Sequence, residues 1–222
     1  MFKLPRTAII LLGSFFFIFV SHSTGAENIS DDIRFDHISI EQGLSASMVM
    51  CIMQDSIGYI WIGTSDGLNR YDGYSFKTYR HLKDNPNTLT NNLITDIIED
   101  SAGQIWIGTE KGLNLYDRTN DRFIRFEADA TDRTKPSVSD IVCLASDKRG
   151  NIWIGSRNRG INVLMADSGE FLRLRKDGGD LPGLAHDGIT AITVDDDGSV
   201  WVMCWSSTIS VFDWESKAFR HE

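Results

Sequence analysis

Asp100-Ser101-Ala102-Gly103-Gln104-Ile105-Trp106-Ile107-Gly108-Thr109 is the stretch whose reading decides the fold: an aspartate-glycine turn, then an apolar run centred on a tryptophan. The same phrase stands at Asp55-Ser-Ile-Gly58-Tyr-Ile-Trp61, at Asp147-Lys-Arg-Gly150-Asn-Ile-Trp153 and at Asp195-Asp-Asp-Gly198-Ser-Val-Trp201. The four tryptophans lie 45, 47 and 48 residues apart, every Asp is six residues before its Trp, and every Gly three before. A fixed period of about 40–50 residues marks a repeat architecture in which one supersecondary unit is stacked many times.

Each phrase reads as a hairpin. Upstream lies a β-branched run such as Ile94-Thr-Asp-Ile-Ile98 or Ile189-Thr-Ala-Ile-Thr-Val194. In the turn, aspartate can hydrogen-bond the backbone and glycine supplies positive φ. The next strand, Ile60-Trp61-Ile62 and its three counterparts, holds three consecutive large apolar residues, so both of its faces are covered. A glycine-bounded loop follows at Gly63–Gly67 and Gly108–Gly112, with one extra residue at Gly155–Gly160. Third strands are expected at 68–72 and 113–117, and more polar fourth strands at Phe76–Tyr79, Phe123–Phe126, Phe171–Leu174 and Ala218–His221. Four strands per repeat, the innermost most apolar and the outermost most polar, describe a propeller blade. The fold class is therefore all-β, a β-propeller with four four-stranded blades at about 47–80, 92–127, 139–175 and 187–221.

Composition agrees and narrows the function. The 222 residues are 41% apolar, 24% charged and 10% aromatic, which is globular and excludes a disordered, collagenous or polytopic membrane protein. With 22 Lys+Arg against 31 Asp+Glu, the net charge of −9 argues against nucleic acid as a partner, since counterion release needs clustered basic residues. Cys51, Cys143 and Cys204 are too scattered for a disulfide framework or a metal site, and the first two read as small packing residues in inner strands. Asp195-Asp196-Asp197-Gly198 superficially suggests calcium, but the twelfth position is Ser206 where a calcium loop closes with Glu. No metal and no cofactor is expected.

At the N-terminus, Lys3 and Arg6 precede the apolar run Ala8–Val20, and Thr24-Gly25-Ala26 supplies the small residues that a signal peptidase reads. Residues 1–26 are thus read as a signal peptide, with residues 27–222 exported to the periplasm; an uncleaved anchor is the alternative, although the run is short of the roughly 20 residues that span a bilayer.

The phrase D-x-x-G-x-[IV]-W-[IV]-G-[TS]-x-x-G-[LI]-N, whole at Asp55–Asn69 and Asp100–Asn114, resembles the two-component regulator propeller repeat. The opening from Phe35 to Ser45 and the run Leu68–Gly73 resemble the usual start of such proteins. The resemblance implies a periplasmic sensor domain, commonly built of seven-bladed propellers, in a dimeric receptor that ends in a histidine kinase or diguanylate cyclase. It implies no enzyme within this chain, which lacks a phosphoacceptor helix, an ATP-binding glycine motif and a GGDEF-like motif. The fourth repeat departs from the pattern, with Met203-Cys204 in place of Gly-Thr.

An extra strand is expected at 33–38, before the first full repeat. Seventeen strands exceed what a closed four-bladed ring holds, so the reading is an incomplete part of a larger ring, a fragment whose partners are the missing blades and the receptor remainder; a true four-bladed ring is the alternative. Both end blades keep apolar flanks, Ile52, Ile60 and Ile62 in the first and Val194, Val200 and Val202 in the fourth, from which self-association is expected.

By strand parity, the connection into each inner strand shares a rim with the loop after each Trp strand, and this rim carries the least repetitive residues. The ligand-binding candidates there are Asn91, Asn92, Arg157, Asn158, Arg159, His186, Asp187 and Trp205. An arginine fork beside an exposed aromatic suits an anionic or sugar-like ligand, a carbohydrate or another small extracytoplasmic molecule; a solvated loop for the arginines and a core position for Trp205 are the plainer readings. Two other function classes stand beside the sensor. A propeller hydrolase or lyase finds no carboxylate pair on this rim, and sialidase-type repeats place Asp five residues before Trp. A protein-interaction scaffold of the WD type lacks its Gly-His and Trp-Asp signatures.

Overall fold

The computed structural model describes residues 37–222; the expected signal peptide at 1–26 and residues 33–36 of the expected extra strand lie outside them. His37 and Ile38 belong to no strand, and a single 3-10 turn, Ile40–Gln42, follows, capped by Ser39.

Four antiparallel sheets come next, each threaded from inner to outer strand. The first holds β1 (Val49–Gln54), β2 (Ile60–Thr64), β3 (Gly67–Tyr71) and β4 (Phe76–Tyr79). The second holds β5 (Ile94–Glu99), β6 (Ile105–Thr109), β7 (Gly112–Asp117) and β8 (Arg122–Phe126). The third holds β9 (Ile141–Ser146), β10 (Ile152–Ser156), β11 (Ile161–Leu164) and β12 (Phe171–Arg175), and adds a two-residue strand β13 (Leu181–Pro182) that pairs parallel to β12. The fourth holds β14 (Ile189–Val194), β15 (Val200–Cys204), β16 (Ile209–Asp213) and β17 (Ala218–His221). A seventeenth strand is thus present among the described residues, at β13 on the edge of the third blade.

The six-residue spacing from Asp to Trp has a direct cause. One carboxylate oxygen of Asp55 accepts from the N–H groups of Ile57, Gly58 and Tyr59 and closes the turn, while the other accepts from Trp61 Nε1 at 2.8 Å. The indole bond recurs from Trp106 to Asp100 at 2.8 Å, from Trp153 to Asp147 at 2.9 Å and from Trp201 to Asp195 at 2.7 Å. Positive φ values of 107, 76, 80 and 93° at Gly58, Gly103, Gly150 and Gly198 let the turn close without a Cβ penalty. One side chain thereby fixes both the turn and the ring that the next blade packs against.

Each tryptophan faces the following blade. The Trp61 ring lies 5.0 Å from Tyr116, and the Trp153 ring 5.2 Å from Phe212. Trp61, Trp106 and Trp153 are 0, 4 and 0% exposed, whereas Trp201, with no described blade beyond it, is partly open to solvent. At the other end the receiving face of the first blade is bare: Ile52 is 67% exposed, while Ile97, its counterpart in the second blade, is buried. The inner strands pack in the order β1, β5, β9, β14, and the first and last make no comparable contact, so the described blades form an open arc.

The glycine two residues after each Trp is required by space. A Cβ at Gly63 would come within 2.7 Å of Ile94, at Gly108 within 2.8 Å of Ile141, and at Gly155 within 2.8 Å of Ile189, each the first residue of the next inner strand. In the fourth blade the position is Met203, which is 45% exposed and meets no inner strand among the described residues. The loop after it also corrects the sequence reading, in which only the third loop was lengthened. Trp201 pairs with Val211, ten residues on, as Trp153 pairs with Val163, whereas Trp61 and Trp106 pair with Arg70 and Leu115, nine residues on. The fourth loop therefore carries the same extra residue, with Ser207 at φ 61° beside Thr208 where Gly67 and Gly112 turn the shorter loops.

Candidate functional site

The rim bearing the candidate residues is built by one repeated hydrogen bond. The fourth residue after each Trp donates its backbone N–H to the carbonyl thirteen residues before that Trp: Ser65 to Met48 at 3.1 Å, Glu110 to Leu93 at 3.3 Å, Arg157 to Asp140 at 3.2 Å and Trp205 to Gly188 at 2.9 Å. Arg157 and Trp205 consequently occupy the same position on successive blades. They converge on Gly188, where a Cβ would meet the Arg157 carbonyl at 3.0 Å, His186 Nδ1 at 3.0 Å and the Trp205 indole at 3.1 Å. His186 Nδ1 also accepts the Gly188 N–H at 2.8 Å, which directs that ring to the junction. Trp205 is 52% exposed and therefore outside the core, and Arg157, Asn158 and Arg159 are all exposed on the neighbouring loop. Among the described residues Arg159 is anchored only by its backbone, whose N–H donates to Ser156 Oγ at 2.9 Å, and its side chain is exposed.

Other candidates have structural duties. Asp187 accepts the Lys176 N–H on its side chain at 2.7 Å and the Gly160 N–H on its carbonyl at 2.8 Å. Asn92 does the same one junction earlier, accepting from His81 N–H at 2.7 Å and from Gly67 N–H at 2.7 Å, and its amide donates to Asp66 at 3.0 Å. Both side chains tie the linker from one blade to the loop beside it. Asn91 accepts from Leu93 N–H at 2.8 Å in a local turn. The structure thus gathers Arg157, His186, Asp187 and Trp205 around Gly188, with Asn158 and Arg159 on the adjoining loop, and leaves Asn91 and Asn92 at the junction of the first two blades.

Several structural residues escaped the sequence reading. Asn69, Asn114 and Asn162 are fully buried and accept the N–H groups of Ser45, Thr90 and Ser137 at 3.0, 2.9 and 2.7 Å, locking each incoming linker to its sheet. Their recurrence in the G-[LI]-N phrase was the available signal. Asp96, the counterpart of Cys51 and Cys143 on the inner strands, accepts Leu144 N–H from the next blade at 2.7 Å; burial raises its pKa against that bond. Burial also pushes the Cys51 and Cys143 thiols up to about 12, which keeps them protonated and unreactive. Among the described residues, no three His, Cys, Asp or Glu side chains gather as a metal-binding group.

The opposite rim carries the aspartate-glycine turns and the hairpins between third and outer strands. There the blades part into grooves, one of about 490 Å³ between the third and fourth blades, bordered by Arg149 and Trp214, and one of about 320 Å³ between the second and third, bordered by Asp100 and Ala166. In the first groove of the arc, Arg118 fills the space and pairs with Asp55 at 3.0 Å and Glu99 at 3.1 Å. Burial works to raise the Asp55 pKa, but the Trp61 indole, the Tyr59 N–H and Arg118 together outweigh it and hold the carboxyl below its usual value.

Comparison with known proteins places this geometry. Residues 25–221 match the family described as the SMP-30/Gluconolactonase/LRE-like region. Histidine kinase P4 of Formosa agariphila is 45% identical over 65 residues, which is 29% of this chain and 5% of that protein. The extracellular domain of BT3049, assigned as a hybrid two component system of B. thetaiotaomicron, is 27% identical with a TM-score of 0.75 over 84% of this chain and 26% of that one. The extracellular domain of BT4673 from the same organism, assigned as a one component system, is 25% identical with a TM-score of 0.65 over 82% of this chain and 26% of that one. The chain therefore spans about a quarter of each of these domains. The resemblance read from the repeat is borne out, as is the all-β propeller.

Proposed function

The chain belongs to the SMP-30/gluconolactonase/LRE-like family, and from that premise we propose that it is a non-catalytic, extracytoplasmic sensing propeller of a bacterial signal-transduction receptor. The likeness to extracellular domains assigned to a hybrid two component system and a one component system carries this reading. The ligand site is the patch around Gly188. Arg157 and Arg159 offer guanidinium forks that bind carboxylate or sulfate bidentately, and the exposed Trp205 indole offers a flat apolar face on which a sugar ring can stack. An anionic carbohydrate fragment meets both features. In the complete receptor, binding at this rim would alter the arrangement of a dimer and leave catalysis to other domains.

A second reading follows from the family itself, whose description includes gluconolactonase, an enzyme. One experiment separates the two. The chain is screened by thermal shift against uronate-containing and sulfated oligosaccharides, and the same compounds are assayed for lactone or glycoside hydrolysis. Binding without turnover, weakened at least tenfold in Trp205→Ala and Arg157→Ala, supports the sensor. Turnover of any compound overturns the non-catalytic assignment, and binding untouched by both substitutions moves the site elsewhere.

A further inference from the structure

We propose that the groove between the second and third blades, on the rim opposite the sensing patch, is a binding slot for an alkylguanidinium group. The molecule contains its own template. In the groove between the first and second blades, Arg118 lies along the cleft and places its guanidinium 3.0 Å from Asp55 Oδ2, the same oxygen that takes the Trp61 indole N–H. In the groove between the third and fourth blades that oxygen of Asp147 again has two donors, Trp153 Nε1 and the Asn151 amide, both at 2.9 Å. Trp214 stands there where Arg118 stands two junctions earlier; Asp121 and Lys217, three residues further on in the two hairpins, share φ values of 52 and 50°. Between the second and third blades the corresponding residue is Ala166.

That truncation leaves the cleft of about 320 Å³, walled by Trp106, Ile152, Leu164, Met165 and Ala166. At its edge Asp100 Oδ2 receives Trp106 Nε1 at 2.8 Å and, among the described residues, no other protein donor. The groove thus keeps the carboxylate and the apolar channel for a side-chain stem but lacks the cation that fills its neighbour. A cation entering here gains a charge-assisted hydrogen bond beside low-dielectric walls. Ser146 replaces the second carboxylate that Glu99 supplies to Arg118, so the slot takes one guanidinium edge and binds weakly, with a dissociation constant in the millimolar range or somewhat below. The guanidinium can belong to a free small molecule or to an arginine of a partner protein.

Agmatine is titrated against the full chain, with perturbation of the Trp106 indole N–H resonance as readout, and 1-pentanol serves as the uncharged control. Saturable binding of agmatine but not pentanol is expected, lost in Ala166→Arg, which refills the slot from within, and weakened at least tenfold in Asp100→Asn. Arg118→Ala calibrates the reading by opening a slot that keeps two carboxylates, Asp55 and Glu99, which agmatine should then occupy more tightly, as read from the Trp61 indole N–H. A Gly-Arg-Gly peptide that binds at least tenfold more tightly than agmatine assigns the slot to a protein partner's arginine, and the reverse order assigns it to a small molecule. No saturable shift in the wild-type chain, or one that persists in Ala166→Arg, overturns the proposal. None of these substitutions touches the Gly188 patch, so failure here leaves the sensing assignment standing.

Discussion

Trp153→Ala and Trp201→Ala remove the same atom set from the same motif position, yet the fold assigns them different costs. Burying an indole withdraws about 150–250 Å² from water, which at about 25 cal/mol per Å² corresponds to about 4–6 kcal/mol. Alanine keeps part of that and the neighbours relax, so large aromatic truncations in cores settle at about 3–5 kcal/mol. Trp153 is fully buried between Phe212 and Trp214, and its lost N–H leaves Asp147 still bonded to the Asn151 amide, so no orphaned acceptor adds to the loss. The expected cost is about 4 kcal/mol. Trp201 has the same bond to Asp195 but is partly exposed with no described blade on its outer side, so about 2 kcal/mol is expected. The difference, about 2 kcal/mol, is about 30-fold in the folded-to-unfolded ratio. Urea titration followed by circular dichroism measures both, with the slope checked for constancy between variants. Equal losses, or a larger loss at Trp201, would refute the idea that each tryptophan is held by the blade that follows it.

Acid should expose the carboxylates at the blade junctions. Asp121 is held at about 2: its partial burial works against ionisation but is outweighed by hydrogen bonds from Lys77, Tyr116 and Tyr79. A depressed folded pKa contributes stability above the unfolded value of 3.8 and loses it as pH falls toward 2. Because the Asp121 side chain is 38% exposed, solvent screening reduces the contribution to about 1 kcal/mol. Melting temperatures of wild type and Asp121→Asn should therefore converge between pH 4 and pH 2, as about that window is set by the shift; parallel curves would contradict the assignment. Separately, the bare face of the first blade should drive concentration-dependent association of the chain, and Ile52→Asp should reduce it in sedimentation velocity; a wild-type chain that stays monomeric on concentration would count against an accessible apolar face.

The scaffold was legible because its physics repeats. Asp55, Asp100, Asp147 and Asp195 each perform two backbone-level tasks at one spacing, and a task done four times leaves a pattern that a single sequence reveals. The strands between the turns followed from three-residue apolar runs, since a blade buries both faces of its second strand. The fourth loop was misjudged for the complementary reason. With Gly replaced by Met203 and the turn completed by Ser207 in positive φ, the extra residue had no glycine to mark it and appeared only in the pairing of Trp201 with Val211. The candidate site was legible by location but not by role. Variation pointed to the rim, yet nothing in the sequence separated Asn92 and Asp187, whose side chains serve backbone N–H groups, from Trp205 and Arg157, whose side chains face out. Burial and partner geometry make that distinction, and both are properties of loops meeting across blades.

Met203 bears on how an array of these blades continues. At each internal junction the glycine two residues after the Trp leaves a notch, and the β-branched side chain that opens the next inner strand, Ile94, Ile141 or Ile189, sits in it. The fit is tight enough that even a methyl group on the glycine would fall within 2.7–2.8 Å of that isoleucine. Met203 puts a long side chain where the notch would be, so a blade with isoleucine at its leading position cannot dock against the fourth sheet as the earlier blades dock against theirs. The available solutions are a small residue in the incoming strand or a rotation of Met203 toward solvent, where it is already half exposed. The two outer faces of the arc are therefore not equivalent. The first presents a receiving surface of the ordinary kind, whereas the fourth presents a tryptophan in the usual place beside a filled notch, and whatever covers Trp201 must be shaped to Met203 as well.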